Sequence, residues 1–292
     1  MISPSEFIHP EDEAARRQLE AIPGFAPVLK LILRIGLEHY FHGTNMANKI
    51  RLSTKQLPNL YKRLPPLCAG LGIEEPEFYL EMNPMPNAYT FGDTRVFLTI
   101  TSGLVEYLDD NELNAVIAHE CGHIACRHVL YHTMGSLVIK GVSELGIAGN
   151  LLTPLQLGLL YWIRRSEFSA DRAAAAVMGS PEPVVETMVR LAGGPKALTN
   201  DVNLDEFANQ ALAYETLKEN RWDRLLQTLA IMNQDHPFHA VRLREIRKWA
   251  QGDAFQRIVD ALKNQGDQSC PRCRKTISSD WAFCKHCGYK LK

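Results

Sequence analysis

The chain has 292 residues, 46% of them hydrophobic and 22% charged, which excludes a disordered chain and suffices for one large or two modest cores. With 32 Lys and Arg against 33 Asp and Glu, the formal net charge is −1. That balance excludes a global pull toward nucleic acid or an anionic membrane, so any electrostatic preference must come from local clusters.

The N-terminus, MISPSEFIHPEDEAARR, has no apolar run behind a basic start, so no secretory signal is expected and the expected location is the cytoplasm. Residues 1 to about 72 read as helical. FAPVLKLILRIGLEHYF and TKQLPNLYKRLPPLCAGLG place apolar side chains at three-to-four spacing and stop near Gly or Pro. Over 76–100 the pattern switches to short runs rich in β-branched and aromatic residues, EFYLEM, NAYTF and RVFLTI, separated by MNPMP and Gly92-Asp93. These predict a small three-stranded sheet.

After Thr101-Ser102-Gly103 a short helix is expected to Leu108. Asp109, with Glu112 three residues on, resembles a capping box and opens a long helix through about Tyr131. The stretch 154–263 reads as helical again, with breaks at Gly179-Ser180-Pro181, Gly193-Gly194-Pro195, around Asn233 to Pro237, and at Gly252. A polar linker over 264–269 leads into a cysteine-rich tail over 270–292. The expected fold class is therefore α+β, mostly helical.

The long helix carries His119-Glu120-Cys121-Gly122-His123, an H-E-x-x-H match. Residues at i and i+4 share one helical face, so the two imidazoles can bind one Zn²⁺. Glu120 then flanks the metal without ligating it, and can take a proton from a metal-activated water and hand it to the leaving amine. The metzincin continuation is excluded, because it needs Gly at 126 and His or Asp at 129 where this chain has Cys126 and Val129. His128 and His132 each lie nine residues past a motif histidine, about half a turn out of phase, and are expected to point away as surface or packing residues. Cys126, seven past His119, is nearly in phase and is expected as a small residue of the core on the metal's side of the helix.

Further on, RRSEFSADRAA places Glu167 and Asp171 at i and i+4. Glu167 would complete three protein ligands, and Asp171, one turn later, would accept the outer N–H of a ligating histidine and fix its tautomer. The alternative is an acidic pair on a solvated face beside Arg164, Arg165 and Arg172. Between the two motifs, residues 145–163 are uncharged over nineteen positions, near the lower length of a bilayer span. A single crossing there would separate His123 from Glu167 by about 30 Å, so a helix or hairpin packed beside the active-site helices is expected instead, with no membrane span.

Of the seven cysteines, Cys270, Cys273, Cys284 and Cys287 form two C-x-x-C pairs ten residues apart. That spacing predicts a zinc ribbon, in which four thiolates close a structural site and the metal supplies most of the folding free energy. Cys68, Cys121 and Cys126 are expected to be reduced and half-buried. The ribbon has six Lys or Arg against one Asp, interleaved with Trp281, Phe283 and Tyr289. A protein partner is favoured for it over nucleic acid.

Four blocks in order, PNAYTFG (86–92), ITSGLVEYLDDNELNAVIAHECGHI (100–124), EFSAD (167–171) and DHPFHAVRLREI (235–246), resemble the gluzincin zinc metallopeptidases of the HtpX and CAAX prenyl protease type over roughly 55–250. The resemblance implies a zincin-like core with His119, His123 and Glu167 as ligands, Glu120 as general base and Asp171 behind the ligands. It further implies that Asn87 and Ala88 lie on a rim strand that pairs with extended substrate, and that His236 faces the cleft to stabilise the oxyanion. Members of that family are integral membrane proteins, and this chain departs from them in lacking their hydrophobic segments.

The expected organisation is an N-terminal helical region over 1–54, a zinc metallopeptidase domain over 55–263, the linker and the ribbon, with one catalytic and one structural Zn²⁺. The expected function is a zinc metalloendopeptidase acting on soluble or unfolded polypeptides, in protein quality control. It is expected to be latent if the first fifty residues or the C-terminal region cover the cleft. The alternative is a non-catalytic or regulatory protein of the same fold that binds nucleic acid or a protein through the ribbon.

Overall fold

A computed structural model describes the chain except for residue 36 and residues 137–148, 217–237, 267–269, 274–276, 278–280 and 292. The three expected strands form where the β-rich runs predict them, and a fourth joins them. β1 (Ile50–Arg51), β2 (Glu77–Glu81), β3 (Ala88–Gly92) and β4 (Val96–Thr101) build one sheet in the order β1-β2-β4-β3. β2 and β4 are parallel, whereas β1 and β3 pair antiparallel at the two edges. The sheet is thus four-stranded, not three-stranded. Two residues are too few to show an alternating pattern, and Ile50-Arg51 become a strand only by pairing with Leu80 and Tyr79.

The β3–β4 turn depends on Gly92, whose φ is 124° and where a Cβ would lie 2.0 Å from the Arg95 carbonyl oxygen. That conformation and closeness admit only glycine. Phe78, Ala88, Leu98 and Ile100 project from the sheet into the main core, where they meet Leu104, Leu113 and Ile117.

The helices are α1 (Pro4–Phe7), α2 (Pro10–Glu20), α3 (Phe25–Ile35), α4 (Leu37–Asn48), α5 (Pro58–Tyr61), α6 (Leu64–Leu71), α7 (Ser102–Tyr107), α8 (Asp110–Ala125), α9 (Gly149–Met178), α10 (Glu182–Gly193), α11 (Lys196–Thr199), α12 (Leu204–Thr216), α13 (His239–Ala250) and α14 (Asp253–Gly266). A further helical stretch covers 129–136. The expected breaks at 179–181, 193–195 and 252 hold, and the one around 233–237 lies outside the described residues.

α8 begins with the expected capping box. The Asp109 carboxylate accepts from the amides of Asn111 and Glu112, and Glu112 accepts from the Asp109 amide at 2.9 Å. The other Glu112 oxygen accepts from buried Arg190 Nε at 2.9 Å, which ties α10 to the start of α8.

α8 does not run through Tyr131 as expected; it ends at Ala125. Arg127 takes a left-handed φ of 60°. The His128 amide donates to the His123 carbonyl at 2.9 Å, and the Arg127 amide donates to Ile124 at 3.0 Å. This is the Schellman arrangement, which stops a helix and folds the chain back over its last turn. Glycine is usual at its left-handed position; arginine there hides the stop from the sequence.

α9 packs closely on α8 because the facing residues are small. Gly122 meets Ala170 and Ala173, and a Cβ on it would come within 2.8 Å of the Ala173 Cβ. Ala173 to Ala176 are all fully buried. Earlier in α9, Leu155, Leu159 and Trp162 form a second core with Ala15 and Leu19 of α2, Phe25 and Met134. The described part of the uncharged run, 149–163, thus belongs to the same helix as Glu167, and packs on the N-terminal helices. Among the described residues no helix is long and apolar enough to cross a membrane.

Candidate active site

The close approach of α8 and α9 brings three expected ligands together. His119 Nε2 lies 3.1 Å from His123 Nε2. Glu167, one helix away, places its two oxygens 3.4 Å from His119 Nε2 and 3.3 Å from His123 Nε2. Ligand atoms about 2.0–2.1 Å from a tetrahedral Zn²⁺ lie about 3.3–3.4 Å from one another, so this donor set fits the ion in both chemistry and spacing. All three side chains are buried. Burial lowers the His123 pKa to about 3, which keeps the imidazole neutral as a metal ligand must be.

Asp171, one turn past Glu167, stands where the spacing predicts. Its Oδ1 is 2.9 Å from His119 Nδ1, so the ring presents its other nitrogen to the centre. Sequence reasoning missed Arg242, on α13. Its Nη2 and Nε donate to the two Asp171 oxygens at 2.6 and 2.8 Å, and its Nη1 is 3.0 Å from Glu167 Oε2. Burial alone would raise the Asp171 pKa, but the Arg242 guanidinium and His119 hold it below the usual 3.8. Arg242 lies within the DHPFHAVRLREI block, yet nothing in its local spacing shows that it reaches α9.

The expectation for His128 and His132 is overturned in part. The phase argument assumed an unbroken helix, and the stop at Ala125 folds His128 back against the motif. Its Nδ1 lies 3.0 Å from His123 Nδ1, and its Nε2 is 2.9 Å from Asp12 Oδ2. His132 packs on the His123 ring at 4.6 Å between centroids and meets Ser166 Oγ at 2.9 Å. Both belong to the centre's surroundings. His128 is fully buried and His132 half-buried. Asp12, on α2, also accepts from Trp162 Nε1 at 3.0 Å and Ser169 Oγ at 2.6 Å. Cys126 is a buried member of the main core, and burial pushes its thiol pKa well up, as suits an inert core residue.

A cavity of about 770 Å³ opens onto the centre, and His119, Glu120, Asp171, Asn87 and Ala88 are among the residues that line it. Glu120 is buried to 1% exposure. Ala88 opens β3, one of the two edge strands of the sheet, and Asn87 directly precedes it. Leu104, Val184, Met188 and Phe207 supply much of the remaining, mostly apolar wall. Every lining residue falls between 85 and 242, so among the described residues the first fifty do not cover the cleft. His236 lies outside the described residues.

In the tail the four cysteines converge, all ligand atoms lying within 4.8 Å of one another. Cys270 Sγ is 3.5 Å from Cys287 Sγ and Cys273 Sγ is 3.7 Å from Cys284 Sγ. Thiolates about 2.3 Å from a tetrahedral Zn²⁺ lie about 3.8 Å apart, so this second donor set also fits the ion. One knuckle closes through the Gly288 amide, which donates to the Cys284 carbonyl at 2.8 Å with Gly288 at a φ of 71°. Lys285 Nζ sits 4.7 Å from the Trp281 ring centroid.

Comparison with known proteins gives a consistent picture. The model of "Peptidase family M48" matches residues 54–250. The chain is 30% identical to a plastoglobule-localized metallopeptidase 48 of Arabidopsis thaliana chloroplasts, over 87% of this chain and 75% of that protein. It is 24% identical to a protease HtpX homolog of Moorella thermoacetica, over 77% of this chain and 84% of the relative. Against a protease HtpX homolog of Ralstonia nicotianae it is 25% identical, over 56% and 68%.

Proposed function

The chain belongs to peptidase family M48 and is a metallopeptidase, and from that premise we propose a zinc endopeptidase in which His119, His123 and Glu167 hold the metal and Glu120 is the general base. The observation that carries this reading is the convergence of His119 Nε2, His123 Nε2 and the two Glu167 oxygens, with contacts of 3.1 to 3.4 Å, contributed by two helices and of the spacing a tetrahedral ion needs. Zinc, when bound, supplies a Lewis acid that lowers the pKa of water and polarises a peptide carbonyl. Glu120 takes the proton of the attacking water and passes it to the leaving amine. Asp171 holds His119 with its Nε2 toward the centre, and Arg242 keeps Asp171 ionised and pairs with Glu167.

Asn87 and Ala88 receive the substrate as an added strand, a role supported by their place on the cavity wall at the sheet's edge. The apolar remainder of the wall suits side chains of soluble or unfolded polypeptides, the substrate class we assign, with protein quality control as its setting. His236 is assigned to the oxyanion on the family block alone. Cys270, Cys273, Cys284 and Cys287 hold the second, structural zinc, and the ribbon serves to dock a protein partner. Residues 1–54, 55–263 and 270–292 are the corresponding N-terminal, peptidase and ribbon units.

Glu120→Gln tests the mechanism. The variant should retain two zinc ions per chain by mass-spectrometric counting and lose cleavage of an unfolded protein substrate; cleavage that survives refutes the assignment of Glu120.

A further inference from the structure

The two motif histidines are supported from opposite sides by different parts of the chain. His119 has Asp171, four residues past a ligand on the same helix. Behind His123 lies a longer arrangement: His123 Nδ1 to His128 Nδ1 at 3.0 Å, His128 Nε2 to Asp12 Oδ2 at 2.9 Å, and Asp12 anchored by Ser169 and Trp162. His128 and Asp12 are 0% and 1% exposed. We propose that Asp12 and His128 are positioning residues that fix the tautomer of His123, so that the N-terminal helix α2 is a working part of the metal centre.

The inference rests on His123 being a zinc ligand. Its logic follows from what each nitrogen can do. The Asp12 carboxylate, an acceptor only, lies 2.9 Å from His128 Nε2, off the line of a full hydrogen bond yet close enough for its negative charge to favour the ring proton on that nitrogen. A neutral His128 so arranged has its lone pair on Nδ1 and accepts there from His123 Nδ1–H. His123 is then left with its lone pair on Nε2, the nitrogen that faces His119 and Glu167 at 3.1 and 3.3 Å. With Asp12 removed, His128 is free to carry its proton on Nδ1, which turns N–H against N–H across the 3.0 Å contact and favours the wrong His123 tautomer.

The geometry also specifies which contacts resist disruption. Trp162 and Ser169 donate to Asp12 and do not compete with His128 for a proton. The His9 amide donates to Ser169 Oγ at 2.9 Å, which leaves the Ser169 proton for Asp12. Each group in the chain therefore has a donor or acceptor assignment consistent with its neighbours, and the direction of the whole is set by the Asp12 carboxylate.

The test uses the full chain and its labile zinc, measured by competition with a chromophoric chelator, alongside histidine tautomers read from long-range proton–nitrogen NMR correlations. Asp12→Asn should weaken zinc binding by about 10- to 100-fold, the usual effect of losing such an outer partner, and should shift His128 away from its Nε2–H form. His128→Ala should weaken zinc similarly, whereas His128→Asn, whose amide oxygen can stand in for Nδ1, should recover most of the affinity. If Asp12→Asn does not fold, the His128 pair decides alone. Zinc affinity within twofold of the parent in Asp12→Asn with unchanged tautomers, or equal behaviour of His128→Ala and His128→Asn, overturns the proposal. His123→Ala separates the two levels: retention of the labile zinc there refutes the ligand assignment itself, whereas its loss together with an unaffected Asp12→Asn refutes only the positioning chain.

Discussion

Replacing Arg242 by Leu should be among the most damaging single changes outside the proposed metal ligands. Arg242 is buried and makes three charged contacts of 3.0 Å or less, two to Asp171 and one to Glu167. Leu fills part of the volume but leaves two buried carboxylates without the cation that pairs with both. Breaking a buried pair by removing one partner costs about 3–5 kcal/mol, against a total stability of about 5–15 kcal/mol for a typical domain. Urea unfolding followed by far-UV circular dichroism, with a chelator present so that zinc does not replace the lost charge, reads the difference. The pH dependence has a definite sign. Asp171 has a folded pKa below its ordinary 3.8, so its stabilising contribution is present above 3.8 and is lost as pH falls through the folded value. The gap between variant and parent should therefore narrow on acidification through that range. A loss below about 1 kcal/mol at neutral pH, or a gap that widens in acid, would show that the guanidinium does not hold these carboxylates.

Gly122→Ala places a Cβ 2.8 Å from that of Ala173, and should lower stability by about 1–3 kcal/mol through overpacking while loosening zinc, because α8 and α9 must separate. Thermal unfolding and chelator competition measure the two effects, and a variant as stable as the parent would mean that the helices do not meet there. Acidification should release zinc from both donor sets, since protons compete for imidazole and thiolate. Metal counting after dialysis at successively lower pH checks this, and full retention of both ions in mild acid contradicts the assigned ligands.

Much of the site was legible because its parts are local. H-E-x-x-H and E-x-x-x-D each place two groups on one helical face, and a helix repeats reliably enough for i and i+4 to be read without a structure. The capping box at Asp109 and the cysteine pairs of the tail are equally local, and they appear where they were expected. What escaped the sequence depends on distant segments or on a stop without its usual residue. β1 exists only through its pairing with β2. The end of α8 is marked by Arg127 in the left-handed conformation, where glycine is the common signal, so the phase rule carried His128 and His132 to the wrong side.

By itself, then, the sequence determined most of the helical stretches though not the end of α8, the three longer strands, and which residue types at which spacing can hold a metal, since these follow from the period of the backbone. Only the tertiary structure decided that Arg242 clamps Asp171 and Glu167 from α13, and that Asp12 reaches His128 from the other end of the chain. Those contacts span 71 and 116 residues. No local periodicity constrains such pairs; they are fixed by how the helices pack, and that in turn depends on small residues such as Gly122 and Ala173 at the crossing of α8 and α9.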